Sequence, residues 1–184
     1  MEGTRPTVIQ SCSSSSITIG ATSIRTMATI TVLGSLNVDM VTVTPRVPDG
    51  GETLQAKSFE TGWGGKGANQ AVAAARTSRK KAAPSESDIT VRMVGAVGND
   101  VFGPQLIKSM ASDGIDMSGV KTLDDHKTGV AVILVEETGE NRILFTAGAN
   151  FGIDTETELV KEGQFGDIAI FQLETPLGVV RIDI

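Results

Sequence analysis

The stretch Gly62-Trp63-Gly64-Gly65-Lys66-Gly67-Ala68-Asn69-Gln70-Ala71-Val72-Ala73-Ala74-Ala75-Arg76 decides how this chain is read. Four glycines in six residues let the backbone approach a ligand closely, and a lysine and an amide stand where an alanine-rich helix would begin. A helix start also offers N–H groups that the helix itself leaves unused. Together these features point to a pocket for a polar small molecule.

Working outward, strand-like and helix-like patterns alternate. Residues 29–33 read as a buried strand, 66–79 as a helix, 91–97 as a strand and 103–113 as a helix. This is an α/β rhythm. Two β-rich runs, 130–136 and 142–146, flank the glycine-bearing turn 137–141 and predict a hairpin. A more polar strand is expected over 53–61, after the turn signal Pro48-Asp49-Gly50-Gly51. Residues 130–135 are apolar at both parities, so both faces of that strand need cover from the core, a ligand or a second subunit. Residues 77–88 read as a surface loop, where Arg79-Lys80-Lys81 is either an anion site or a solvated run balanced by Glu86 and Asp88.

Asn37-Val38-Asp39 follows the first strand, and spacing of two in extended chain puts Asn37 and Asp39 on one side. A carboxylate accepts from hydroxyls while an amide donates and accepts, so the pair suits a vicinal diol; an Asn/Asp turn is the alternative. Asp100, beside Gly98 and Asn99, reads as a helix N-cap or as an acid. Glu174, after the apolar strand 168–171, stands where open α/β sheets bind ligands, or is an exposed strand-end glutamate.

Rival motifs fit less well. Gly62, Gly64 and Gly67 match G-x-G-x-x-G, with Asp88 about twenty residues on, but they do not follow the first buried strand as a dinucleotide fingerprint does. A Walker A loop fails in either alignment, since Glu60 replaces its first glycine or Gly67-Ala68 replaces its Gly-Lys.

The whole chain has 184 residues, 40% of them apolar, which allows one domain with a real core. A net charge of −6, no tyrosine and one tryptophan argue against nucleic acid as partner. The longest apolar run, 130–135, is too short to cross a membrane. Cys12 and His126 each stand alone, so neither a disulfide nor a zinc-type site is expected, and both read as surface or loop residues. Residues 1–27 hold a Ser/Thr cluster, two arginines and one acid, and are expected to be disordered. Two arginines are too few for a mitochondrial transit peptide, so cytoplasm is the expected location, with the nucleus as the alternative.

In order, VLGSLNVDMV, PDGGET, GGKGANQAVAAAR, VGAVGND-FG, TGVAVILV, GENRI, AGAN and QLETP resemble the N-terminal part of the ribokinase-like sugar kinases, over roughly residues 28–176. The resemblance implies an α/β fold, a central mostly parallel sheet with flanking helices plus a small β-lid, shortened at its C-terminal side. The kinase domain is expected over 28–184, with lid segments at about 46–62 and 128–147.

The same resemblance implies that Asn37, Val38, Asp39, Gly65, Lys66, Gly67, Ala68, Asn69 and Glu174 bind D-ribose, with Ala131 and Ile133 as apolar lid contacts. It implies ATP and Mg²⁺, with activating K⁺, and a homodimer through the lid. The family's G-A-G-D segment with its catalytic base, its adenine pocket and its cation loop find no match here. Gly148-Ala149-Asn150 offers an amide where a base is required, and Gly166-Asp167 leads into a strand. No catalytic residue or metal ligand is therefore assigned, and the chain alone is expected not to turn over. Residues 177–184 are β-branched and glycine-bearing, a poor helix and an atypical tail.

Overall fold

The computed structural model describes residues 27–81, 83–153 and 165–180. The expected disordered extension at 1–27, with Cys12, falls almost wholly outside the described residues, as do 181–184 of the tail. Among the described residues ten strands appear in the order β1 (Ala28–Leu33), β2 (Asn37–Thr44), β3 (Ser58–Gly64), β4 (Arg79–Lys80), β5 (Ala83–Ser87), β6 (Ile89–Gly98), β7 (Asp116–Leu123), β8 (Gly129–Glu136), β9 (Asn141–Thr146) and β10 (Ile168–Phe171). Helix α1 (Lys66–Thr77) follows β3, and α2 (Gly103–Ser112) follows β6.

The central sheet runs β10-β1-β6-β7 and all its pairings are parallel. Alternation along β1 explains its two faces. Val32 packs with Val91, Met93 and the alanines of α1 (Ala68, Ala71, Ala75), joined by Leu106 and Met110 from α2. Leu33 points the other way, onto Val94, Ala96, Ala149 and Ile153. The small side chains of α1 let the helix lie close to the sheet, and its alanines favour helix without any side-chain N-cap.

The second sheet runs β3-β2-β8-β9. β2 pairs antiparallel with β3 and parallel with β8, and β8 pairs antiparallel with β9 through a turn in which Gly139 has φ 89°. The predicted hairpin is thus present, joined to the core by β2. The α/β rhythm read from the alternation of patterns is also present, and the mostly parallel central sheet is the one the family resemblance implied.

Several elements differ from expectation. Asn37 and Asp39 sit in a full eight-residue strand. The polar strand expected over 53–61 is displaced to Ser58–Gly64, so Gly62 and Gly64 are strand residues and the turn falls on Gly65. β7 was unforeseen, because Asp116-Met117-Ser118-Gly119 hides its period behind a register shift against β6. The loop expected at 77–88 contains the small β4–β5 hairpin.

Arg79 and Lys80 of the basic run there are engaged by acids. Arg79 donates to the Asp113 carboxylate at 3.1 Å and Lys80 lies 3.0 Å from Asp88. Arg79 and Asp113 line a small hollow of about 120 Å³, with their charges turned on each other. In the tail, Leu177–Val180 forms a single 3₁₀ turn, which needs no long helix propagation.

Asp100 acts as a cap. Its Oδ1 accepts from the backbone N–H groups of Phe102 (3.0 Å) and Gly103 (3.1 Å) at the start of α2. It also accepts from the Thr128 hydroxyl, while Oδ2 accepts from the Thr128 N–H, both at 2.8 Å. Burial alone would raise this carboxyl's pKa, but the four donated hydrogen bonds outweigh it and hold the group below the ordinary aspartate range. The two sheets are tied together at this point, since Thr128 directly precedes β8.

Candidate functional site

β1 ends at Leu33, and the chain crosses to the second sheet through the corner Gly34-Ser35-Leu36. The corner lies at the carboxyl end of the parallel strands, where open α/β sheets bind ligands. Two other segments meet it there: the start of α1 and residues 172–175 after β10. Backbone approach is very close, because a Cβ on Gly34 would lie 2.9 Å from Gly67 Cα, and one on Gly67 would lie 2.5 Å from the Gly34 carbonyl carbon. Glycine is needed at both positions for helix and corner to touch.

Ser35 joins the three segments. It is fully buried. Its Oγ accepts from the Lys66 N–H at 3.0 Å and donates to Glu174 Oε2 at 2.8 Å, and its carbonyl accepts from the Ala68 N–H at 3.0 Å. Gln172 Oε1 accepts from the Glu174 N–H at 3.0 Å and lies 3.3 Å from the Ser35 hydroxyl. Glu174 is thereby held from both ends, and its other oxygen lies 2.9 Å from the Lys66 ammonium. Lys66 remains largely exposed, so this pair contributes orientation more than stability.

Asn37 and Asp39 share one face of β2. Asn37 pairs with Gly64 on one side and Gly129 on the other, and Asp39 with Gly62 and Ala131. A Cβ on Gly64 would meet the Asp39 carboxylate at 2.1 Å, so Asp39 leans along the sheet over the glycine that faces Asn37. The Asp39 carboxyl is pushed above the ordinary aspartate range, first by burial and then by the negative charge of Glu174. The Asp39 and Glu174 carboxylates are therefore close enough for one charge to act on the other, and the Lys66 ammonium sits on Glu174.

The other predicted residues take distinct places. Gly65, at φ 94° and ψ 138°, makes the turn into α1. Asn69 is exposed on the first helical turn, with no side-chain hydrogen bond among the described residues. Gly67 and Ala68 are buried against the corner and serve helix packing. Val38 is turned to the opposite face and fully buried, so only its backbone borders the site. Ala131 and Ile133 lie on the face of Asp39, Ile133 opposite Val41.

Ser35, Gln172 and Asn150 were not singled out for this role by the sequence. The available signal was weak: Ser35 sits two residues before Asn37, and Gln172 two before Glu174. Asn150 lies over a hundred residues from the pair it supports.

An amide and two carboxylates are gathered at the carboxyl edge of a parallel sheet in an α/β fold, and the chain belongs to the pfkB family of carbohydrate kinases, whose pattern matches residues 27–181. Among its relatives, the ribokinase of Schizosaccharomyces pombe is 46% identical over 160 residues, covering 85% of this chain and 48% of that protein. The crystal structure of the Thermotoga maritima ribokinase superposes with a TM-score of 0.70 at 33% identity, covering 83% of this chain and 48% of the other. The Arabidopsis thaliana ribokinase, solved with ribose and ATP, gives a TM-score of 0.67 at 28% identity over 83% of this chain and 47% of its own. The chain thus spans about half the length of the curated relatives it matches.

Proposed function

We propose that this chain carries the sugar-binding half of a ribokinase, an enzyme that transfers the γ-phosphoryl group of ATP to O5 of D-ribose. The observation that carries the reading is the convergence of Asn37 and Asp39, on one sheet face, with the Lys66–Glu174 pair held by Ser35. An acceptor-rich, partly buried cleft with one cation suits an uncharged polyhydroxyl ligand, whose hydroxyls donate to carboxylates and accept from N–H groups. Ala131 and Ile133 would cover the apolar side of the sugar.

ATP, with Mg²⁺ and an activating K⁺, would supply the transferred group, and we assign no residue of these 184 to any of the three. No stretch of this sequence resembles the family's base, adenine or cation segments, so the polypeptide on its own is expected to bind ribose without turning it over. Calorimetric titration with D-ribose should give saturable binding, and an ATP-coupled assay should read no more than a protein-free control. Absence of binding sinks the site assignment, and turnover sinks the expectation of inactivity.

The second sheet is proposed to act as a lid that pairs with a second copy. Phe59, Val132 and Leu144 stand exposed together on its face away from Asp39. Equilibrium sedimentation should show dimers that Leu144→Glu dissociates, while a monomeric parent chain would remove the proposal. Cytoplasm remains the proposed location.

A further inference from the structure

Asn150 stands at full burial behind Asn37, in the 3₁₀ turn Gly148–Phe151 that the sugar site does not otherwise use. Its side-chain amide is oriented by three backbone groups that cannot turn over. The Leu36 N–H donates to Asn150 Oδ1 at 2.8 Å, so that branch must be the oxygen. The Leu36 and Ala147 carbonyls lie 3.1 and 3.0 Å from Nδ2, so the other branch must be the NH₂. Both requirements agree.

That NH₂ also lies 2.7 Å from the side chain of Asn37; its two hydrogens are shared among the three acceptors, and an Asn37 NH₂ at this distance would set donor against donor, so Asn37 presents its oxygen to Asn150. An isolated asparagine can turn either branch to a ligand; here one branch is already committed. The Asn37 Nδ2 is left with no hydrogen-bond partner among the described residues. Gly129 makes the arrangement sterically feasible, because a Cβ there would lie 2.2 Å from Asn37 Oδ1 and 2.4 Å from Asn150 Nδ2.

We propose that Asn150 is a positioning residue that fixes the hydrogen-bond polarity of Asn37, so that the site offers a donor at Asn37 and an acceptor two residues on at Asp39. The site then reads direction as well as shape. A ligand must place a lone pair at Asn37 and an O–H at Asp39, which neighbouring hydroxyls of a sugar do. A sugar carrying an ammonium group at the Asn37 position is rejected, because two donors would face each other. The proposal rests on the sugar-site reading for its ligand but not for the amide geometry.

The test has a ligand-free arm. In the wild-type chain labelled with ¹⁵N-asparagine, the Asn37 side-chain NH₂, buried but without a partner among the described residues, should exchange faster with water than the hydrogen-bonded Asn150 NH₂. Equal rates, or slower exchange at Asn37, overturn the assignment.

The second arm titrates the monodeoxyfluoro and monodeoxyamino analogues of D-ribose. At one ring position the fluoro analogue, which only accepts, should bind at least about tenfold tighter than the amino analogue, the loss expected from one opposed donor. Asn150→Asp turns Asn37 round and should remove that preference. If Asn150→Asp does not fold, Asn150→Ser, which releases Asn37 to rotate, should narrow the same ratio. An unchanged ratio in a folded variant overturns the proposal. If the wild type binds no sugar at all, the ribokinase reading fails while the exchange measurement still decides the polarity of Asn37.

Discussion

Gly65→Ala is expected to lower the thermal midpoint by about 6–12 °C and to abolish sugar binding. Gly65 occupies φ 94° and ψ 138°, a region that residues with a side chain enter at a cost of roughly 1–3 kcal/mol. The added Cβ would also lie 2.6 Å from the Ser35 oxygen and 2.8 Å from the Asn37 nitrogen. These are backbone atoms, which cannot rotate away as a flexible side chain would. Strain and clash together reach about 3 kcal/mol, and each kcal/mol shifts the midpoint of a domain this size by roughly 2–4 °C. Whatever relieves the contact must move either the Ser35 corner or the first residue of β2, and both belong to the site. Gly62→Ala is the matched control, since a Cβ there meets nothing within 4 Å. Calorimetric scans showing equal losses for the two variants would refute the argument.

The second large effect concerns Asp39→Asn, which should weaken ribose binding about a hundredfold while making the unliganded chain more stable at pH 7. Hydrogen bonds to a charged carboxylate contribute about 1.5–3 kcal/mol each, and the amide replaces one acceptor oxygen by a donor. The gain in stability follows from linkage. Burial, and then the Glu174 charge, raises the Asp39 pKa in the folded chain above its ordinary value of 3.8. The folded state therefore holds the proton more tightly than the unfolded state. Folding is favoured by this group at low pH, and that advantage is lost as pH rises from 3.8 through the raised folded value. At neutral pH the wild type bears the full unfavourable contribution, which the neutral amide avoids. Melting curves should therefore separate the two proteins at pH 7 and converge below pH 4, within the range where both stay folded. A variant less stable at pH 7 would contradict the direction of this shift.

Local chemistry was legible in the sequence wherever it depends on neighbours in the chain. The alanines after Lys66 predict α1 to within two residues of its end, and Asp100 caps α2 as its spacing implies. The turn at Gly139 between two apolar runs foretells the hairpin. Asn37 and Asp39 could be placed on one side because strand alternation is a local rule. What escaped was set by distant partners. β7 finds its register only against β6, and the β4–β5 hairpin is held by Asp113 contacts beyond its own residues. Val38 entered the candidate site as part of a motif, but the alternation that aligns Asn37 with Asp39 turns it to the opposite face, where it is buried. Asn150 carried only a negative reading, as an amide in the place of a base. Its bond to Asn37 spans 113 residues, which no spacing rule anticipates.

The Ser35 hydroxyl has a consequence for the order of folding. It binds Lys66 at a separation of 31 residues and Glu174 at 139. Contacts that close long loops give up chain entropy before any bonding compensates it, so they form late. The cleft is completed only when the last of the three segments arrives. A ligand that recognises the finished cleft then favours the folded chain by mass action, by about 2.7 kcal/mol at a hundredfold excess over its dissociation constant. A ligand of this cleft would thus act on the polypeptide as a folding checkpoint, protecting the molecules in which the chain has closed on itself.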